Sequence, residues 1–215
     1  MSSLQEIKVQ REVADTPVDV RGTEGGDIQV AQALPIGAVL TAKGYGWQAI
    51  TTVGVAGLVV RPSTVPLMSI YNGEAGGGKV YIIDRVFAFN LVSTAAAAFW
   101  SIWLCVQPVG TIASASVITP AMIRSTRGAG AYGGLAKIDD DTTCVDSGWF
   151  PWGPIGQSEA TGVLPSGAVS AEINGRIVIP PTSALNITVV TSAVGQTFTA
   201  GVHWFEVPQS ELGIG

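Results

Sequence analysis

Residues 67–91 read LMSIYNGEAGGGKVYIIDRVFAFNL, a β-type run, a glycine-rich break and a longer β-type run. Gly73, Gly78 and Lys79 stand at the G-x-x-x-x-G-K spacing of a phosphate-binding loop. Such a loop continues with a Ser or Thr whose hydroxyl binds magnesium, then with a helix whose N-terminus faces the phosphates. Here Val80 follows, and VYIIDRVFAF is β-branched and aromatic with no helix start. The stretch therefore predicts a β-hairpin with a flexible glycine tip, and Lys79 as a solvated residue at the strand start. From 81 to 91 one face is Tyr81, Ile83, Arg85, Phe87, Phe89 and Leu91, and the other runs from Ile82 and Asp84 to Asn90. Both faces are largely apolar, which predicts a central strand covered on both sides. Asp84 and Arg85 interrupt that pattern and need partners if buried.

Outward from this segment, the chain from Ile28 onward is a series of short β-type runs punctuated by Gly and Pro. Strands are predicted at 28–33, 37–42, 47–53, 56–61, 66–72, 79–91, 98–107, 117–124, 144–149, 168–173, 176–180, 184–191 and 197–207. Their spacing, with turn signals between and no sustained 3.6-residue apolar period, predicts an all-β antiparallel sandwich over 31–215. Pro180-Pro181 predicts an extended lead into the strand at 184–191. Residues 1–30 differ: they hold nine of the 27 charged residues and no aromatic. They read as an N-terminal arm or linker, weakly structured when alone, whose functional reading is an arm that orders on a neighbouring subunit.

Only 13% of residues are charged, against about 25% in ordinary domains, so much of the surface is expected to be covered by copies of the same chain. The longest apolar stretch, Ala95 to Val109, falls short of the roughly 20 residues a membrane helix needs. Net charge of −5 and a pI near 4.7, with no basic stripe, argue against nucleic acid. The first residues lack the apolar core of a signal peptide. Cys105 and Cys144 are too few and too far apart for a disulfide framework or metal site, and read as reduced thiols.

No constellation of catalytic residues emerges, so the expectation is a protein that is not an enzyme and uses no cofactor or metal. The lone histidine, His203, sits mid-strand, and no G-x-S-x-G elbow accompanies it. Asp139, Asp140 and Asp141 lack the alternating spacing of a calcium loop. Asn186-Ile187-Thr188 matches a glycosylation sequon but reads as ordinary strand pattern. Arg124 to Asp146 is a long Gly-rich connection. In 146–157, DSGWFPWGPIGQ, Trp149, Phe150 and Trp152 stand among prolines as a rigid aromatic loop. These three are the candidate interaction surface, as an anchor, a lid over the core, or a platform for a glycan.

Three stretches carry a resemblance: SIYNGE at 69–74 with its glycine tip and Lys79, RIVIPPTSALNI at 176–187, and GVHWFEVP at 201–208. Together they resemble the small β-sandwich virion proteins of tailed bacteriophages. In that group an IxN…SGK segment and a late PPGTALxL strand followed by xWxEV recur in jelly rolls. Here Thr182 stands where Gly is frequent, and Gly78 replaces the Ser-Gly style tip. The resemblance covers about half the chain. It implies a jelly-roll fold and a capsid decoration (cement) protein, commonly a homotrimer, bound to the major capsid protein. The location implied is the virion, assembled in the host cytoplasm. A head-fibre or tail-associated receptor or glycan-binding module, or a single-jelly-roll capsid subunit, is the alternative implied.

Overall fold

The computed structural model describes residues 8–10, 17–19, 35–93, 97–108, 122–128, 130–139, 144, 148–158 and 167–212. The strand expected at 28–33, parts of those at 117–124 and 144–149, and most of the expected arm lie outside these residues. The chain divides into two compact units, 1–39 and 40–215. In the first, β1 (Lys8–Gln10) pairs antiparallel with β2 (Pro17–Asp19), Val9 opposite Val18.

Helix α1 (Ile36–Ala42) occupies a segment expected to be a strand. Its ends explain the difference. Pro35 precedes it, and the Pro35 carbonyl accepts from the amides of Ala38 and Val39 at 2.9 and 3.2 Å. At the other end Gly44, at φ 84°, donates to Thr41 O while Tyr45 N donates to Leu40 O, the paired bonds of a Schellman cap.

The second unit is an antiparallel β-sandwich. Sheet I has the order β10 (Phe150–Ser158), β7 (Ala98–Gln107), β12 (Ala184–Thr191), β5 (Met68–Asn72), β9 (Ala136–Asp139). Sheet II has the order β11 (Gly167–Ile179), β6 (Lys79–Val92), β13 (Thr197–Pro208), β3 (Gly46–Ile50), β8 (Arg124–Ser125). A short β4 (Val55–Ala56) also pairs with β13. Side chains alternate along each strand, so Trp100, Ile102 and Leu104 from sheet I meet Tyr81, Ile83, Phe198 and Trp204 from sheet II in one core.

The expected hairpin at 67–91 is not one. β5 pairs with β12 and β9, whereas β6 pairs with β11 and β13, so residues 73–78 carry the chain between the two sheets. A six-residue connection lacks the two-residue geometry that forces neighbours to pair. Gly73 is required at the crossing, because a Cβ there would stand 2.4 Å from the Leu135 carbonyl oxygen. β6 is central in its sheet, as expected, but only its inner face is buried by this chain. Ile82, Phe87, Phe89 and Leu91 on the outer face remain partly exposed.

Asn72 ties the crossing to the rest. Its side-chain amide donates to Lys79 O and Ile179 O, both at 3.0 Å, and its Oδ1 accepts from Glu74 N. Its main chain exchanges bonds with the 180–183 segment, donating to Ser183 O and accepting from Thr182 N, each at 2.8 Å. The segments at 69–74 and 176–187 therefore meet at one buried side chain. Pro180-Pro181 begins a turn, closed by Ser183 N on Pro180 O, rather than the extended lead expected. That turn places Thr182 at φ 64°, a left-handed conformation that a β-branched side chain resists. Thr182→Gly is expected to stabilise the protein by about 1 kcal/mol, the relief of strain exceeding glycine's extra chain entropy. Urea titration of the two proteins checks this; an unchanged or lower midpoint refutes it.

Candidate functional site

The three aromatic residues singled out in the sequence part company in the fold. Residues from Phe150 onward form edge strand β10 rather than a loop; Pro151 and Pro154 are tolerated there because an edge strand has amides with no ladder to serve. Trp149 is buried (3% exposed) and donates from Nε1 to Ser63 O at 3.2 Å, packed with Cys105 and Cys144. Both cysteines are buried and outside any disulfide, their thiols donating to Val106 O and Ser63 O at 3.9 Å. Phe150 is 66% exposed. Trp152 is half-buried, with the Arg176 guanidinium 5.5 Å above its ring. Phe150 and Trp152 line a recess of about 260 Å³ with Leu104, Val106 and Ile177, while Trp149 stands apart.

Other sequence candidates are structural. Asn186 is fully buried, its Oδ1 accepting from Ser69 Oγ at 2.6 Å, so the sequon is out of reach of modification. Asp139 is buried on β9, and Asp140 and Asp141 lie outside the described residues. Among the described residues, no three of His, Cys, Asp and Glu cluster as metal ligands. Lys79 is not simply solvated: it reaches Glu206 Oε2 at 3.4 Å and Glu74 at 4.0 Å.

Glu206 is the strongest electrostatic feature of the interior. It is 1% exposed at the end of β13, where Trp204 Nε1 donates to its Oε1 at 3.2 Å and the Tyr132 hydroxyl donates at 2.5 Å. Tyr132 in turn accepts from Ala136 N at 2.7 Å, fixing the start of β9. Burial, and then the negative charge of Glu206, push the Tyr132 hydroxyl well above its ordinary value of 10, and the same causes raise Tyr81. Four strands and the glycine crossing converge here, so this knot reads as architecture.

A second polar cluster lies on the outer face of sheet II. β6 and β11 both lose register near its middle: Arg85 faces Glu172 and Ile83 faces Ile177, leaving Asp84 as an extra residue on β6. Asn174 and Gly175, at φ 50° and 76°, form the larger bulge on β11, and Arg176 Nε donates back to Ile173 O at 2.9 Å. The partners that Asp84 and Arg85 needed are supplied here. Asp84 Oδ2 is 2.8 Å from His203 Nδ1, and Arg85 Nε is 2.9 Å from Glu172 Oε1. A carboxylate only accepts, so His203 donates to Asp84 from Nδ1. Asp84, Arg85 and His203 line an open recess of about 460 Å³ with Gln48, Phe87, Ser125 and Thr126. Hydroxyls are present beside a His–Asp pair, yet among the described residues none bonds Nε2, so a nucleophilic relay is incomplete.

Nothing in the sequence joined Asp84 to His203, 119 residues apart. The only local signal was two charges in the middle of an apolar strand. No protein-family model matches the chain, and no curated protein is similar to it in sequence.

Proposed function

We propose that this chain is a non-enzymatic structural protein of a tailed-phage virion, a homotrimeric capsid decoration protein built on a jelly roll. The observation that carries the reading is the strand order. Numbering β3, β5, β6, β7, β10, β11, β12 and β13 from one to eight, the sheets run 1-8-3-6 and 2-7-4-5, the arrangement that two interleaved Greek keys produce. β8 and β9 are then additions at the ends of the two sheets.

The surface supports assembly through faces rather than edges. β10 carries Pro151 and Pro154, β11 is bulged, and β8 and β9 have two and four residues, so each sheet edge is a poor template for another strand. Apolar groups stand out instead: Phe99 (56% exposed) and Ile155 (70%) on adjoining strands of sheet I, with Val194 (79%) in the nearby β12–β13 turn. Val53 is exposed between β3 and β4, and Val59, Val60 and Val65 between β4 and β5. Covering such groups stabilises a subunit contact by about 25 cal/mol per Å², and a shell of many copies multiplies a modest contact with the major capsid protein. Residues 1–30 would act as the arm that orders on the neighbour.

Analytical ultracentrifugation of the full chain at micromolar concentration tests this, beside a chain lacking residues 1–26. The expected result is a trimer that sediments with purified capsids, weakened by the truncation. A monodisperse monomer that ignores capsids overturns it.

A further inference from the structure

The recess on the outer face of sheet II is more elaborate than a structural sheet face requires. Outward positions of a sandwich need only be polar. Here two bulges break the ladder to bring Asp84 and Arg85 side by side, and each is held by a partner, His203 and Glu172. Bulges that re-aim side chains are a mark of functional surfaces. The two pairs use Asp84 Oδ2 and Arg85 Nε, and both residues line the recess. Two wall atoms, His203 Nε2 and Thr126 Oγ1, are buried without a hydrogen-bond partner among the described residues.

The chemistry of the walls selects the occupant. In the larger recess the Arg85 charge offsets that of Asp84, and Arg124 borders the adjoining one. Planar groups of complementary sense, Asp84 accepting, Arg85 donating and the exposed Gln48 doing both, suit vicinal hydroxyls. Phe87 supplies an apolar plane. It lies flat across β13 because position 201 is glycine; a Cβ there would stand 2.1 Å from Phe87 Cζ. Gln48 and Phe87 also border an adjoining recess of about 220 Å³ lined by Ala49, Ile50 and Met122, an apolar niche of a size for a small methyl-bearing substituent.

We propose that this paired recess binds a neutral N-acetylated hexose unit of a glycan, its hydroxyls on Asp84, Arg85 and Gln48, its ring on Phe87, and its acetamido methyl toward Ile50 and Met122. The larger recess, about 460 Å³, falls within the range of small-molecule sites. The site lies on the outer face of sheet II, whereas Phe99, Ile155 and Val194, assigned to assembly above, are on sheet I and its β12–β13 turn. A protein that fails to trimerise would therefore still bind sugar, and the two ideas fail separately.

Titration of the full chain, followed by NMR shifts and calorimetry, uses free N-acetylglucosamine and N-acetylgalactosamine, the parent hexoses, and inorganic phosphate. A bead-bound polysaccharide rich in N-acetylhexosamine distinguishes a polymer ligand from a free one. The expected result is saturable binding of an N-acetylhexosamine with a dissociation constant of about 1 mM, the range of a single weak site, and at least tenfold weaker binding of its parent hexose. Phe87→Ala and the surface change Gln48→Ala each weaken it tenfold, the second without any burden on folding, and Trp152→Ala leaves it intact. Binding of phosphate alone, equal binding of the parent hexose, loss in Trp152→Ala but not in Gln48→Ala, or no sugar binding at all overturns the proposal.

Discussion

Glu206→Ala is expected to lower the unfolding free energy by about 3–5 kcal/mol. The carboxylate is buried and takes hydrogen bonds from Tyr132 and Trp204, both of which lie in the core. Removing it leaves two buried donors unsatisfied at about 1–3 kcal/mol each, together with the space the side chain filled. Lys79 contributes less than its geometry suggests, because its side chain is 40% exposed and water replaces the lost partner. For a chain of this size the loss corresponds to about 10 °C in melting temperature. Glu206→Gln, which keeps an acceptor for both donors, is expected to cost less than half as much. Thermal and urea unfolding of the three proteins decide the matter, and equal costs for Ala and Gln would show that the hydrogen bonds are not the cause.

The same knot sets an alkaline limit. Tyr132 and Tyr81 are raised in the folded state, so they keep their protons where unfolded tyrosines, near 10, lose them. The folded protein then binds more protons than the unfolded one, and stability, complete below pH 10, falls as pH rises beyond it. Each such tyrosine contributes a slope of about 1.4 kcal/mol per pH unit. The Tyr132→Phe protein should lose stability less steeply between pH 10 and 11.5.

The elements that were legible in the sequence are those whose pattern is dictated by two covered or half-covered faces. β7 and β12 coincide with their expected 98–107 and 184–191, and β6 and β13 each run one residue past expectation at their C-terminal end. Periodicity says which face a side chain takes but not which sheet a strand joins, so the crossing at 73–78 read as a hairpin. For α1, a short run of Gly, Ala, Val and Leu fits either state, and the deciding marks were Pro35 before it and Gly44 after it. Proline argued against a strand at 150–158, and only the strand's edge position removes that objection. β9 lay hidden in a Gly-rich connection because its four residues depend on Tyr132 and β5 for their place. At the outer-face recess, the charges in β6 announced a need for partners, but partners contributed by β13 and β11 are tertiary facts. The aromatic loop was misjudged for the same reason. Trp149 looked like a surface anchor until Ser63, Cys105 and Cys144 were seen to enclose it.

Trp100→Ala is expected to cost about 3–5 kcal/mol, and its effect on a neighbouring glycine distinguishes packing from bulk hydrophobicity. Trp100 is 2% exposed at the centre of sheet I and meets Phe198 of sheet II with ring centroids 5.0 Å apart. Edge strand β10 crosses it at Gly156, where a Cβ would stand 2.4 Å from Trp100 Cε2. The ring fills the space that any side chain at 156 would need, so Gly156→Ala forces either the indole off its rotamer or β10 off its partner, at about 1–3 kcal/mol. In a Trp100→Ala background the obstacle is gone, and alanine at 156 should be neutral or slightly stabilising, since glycine in a strand costs about 0.5–1 kcal/mol relative to alanine. The two changes are therefore expected to couple by about 1–3 kcal/mol, the double variant being more stable than the sum of the singles predicts. Strictly additive costs in urea titrations of the four proteins would mean that β10 docks by its backbone ladder alone. The glycine would then have no part in seating the edge of the sandwich on its core.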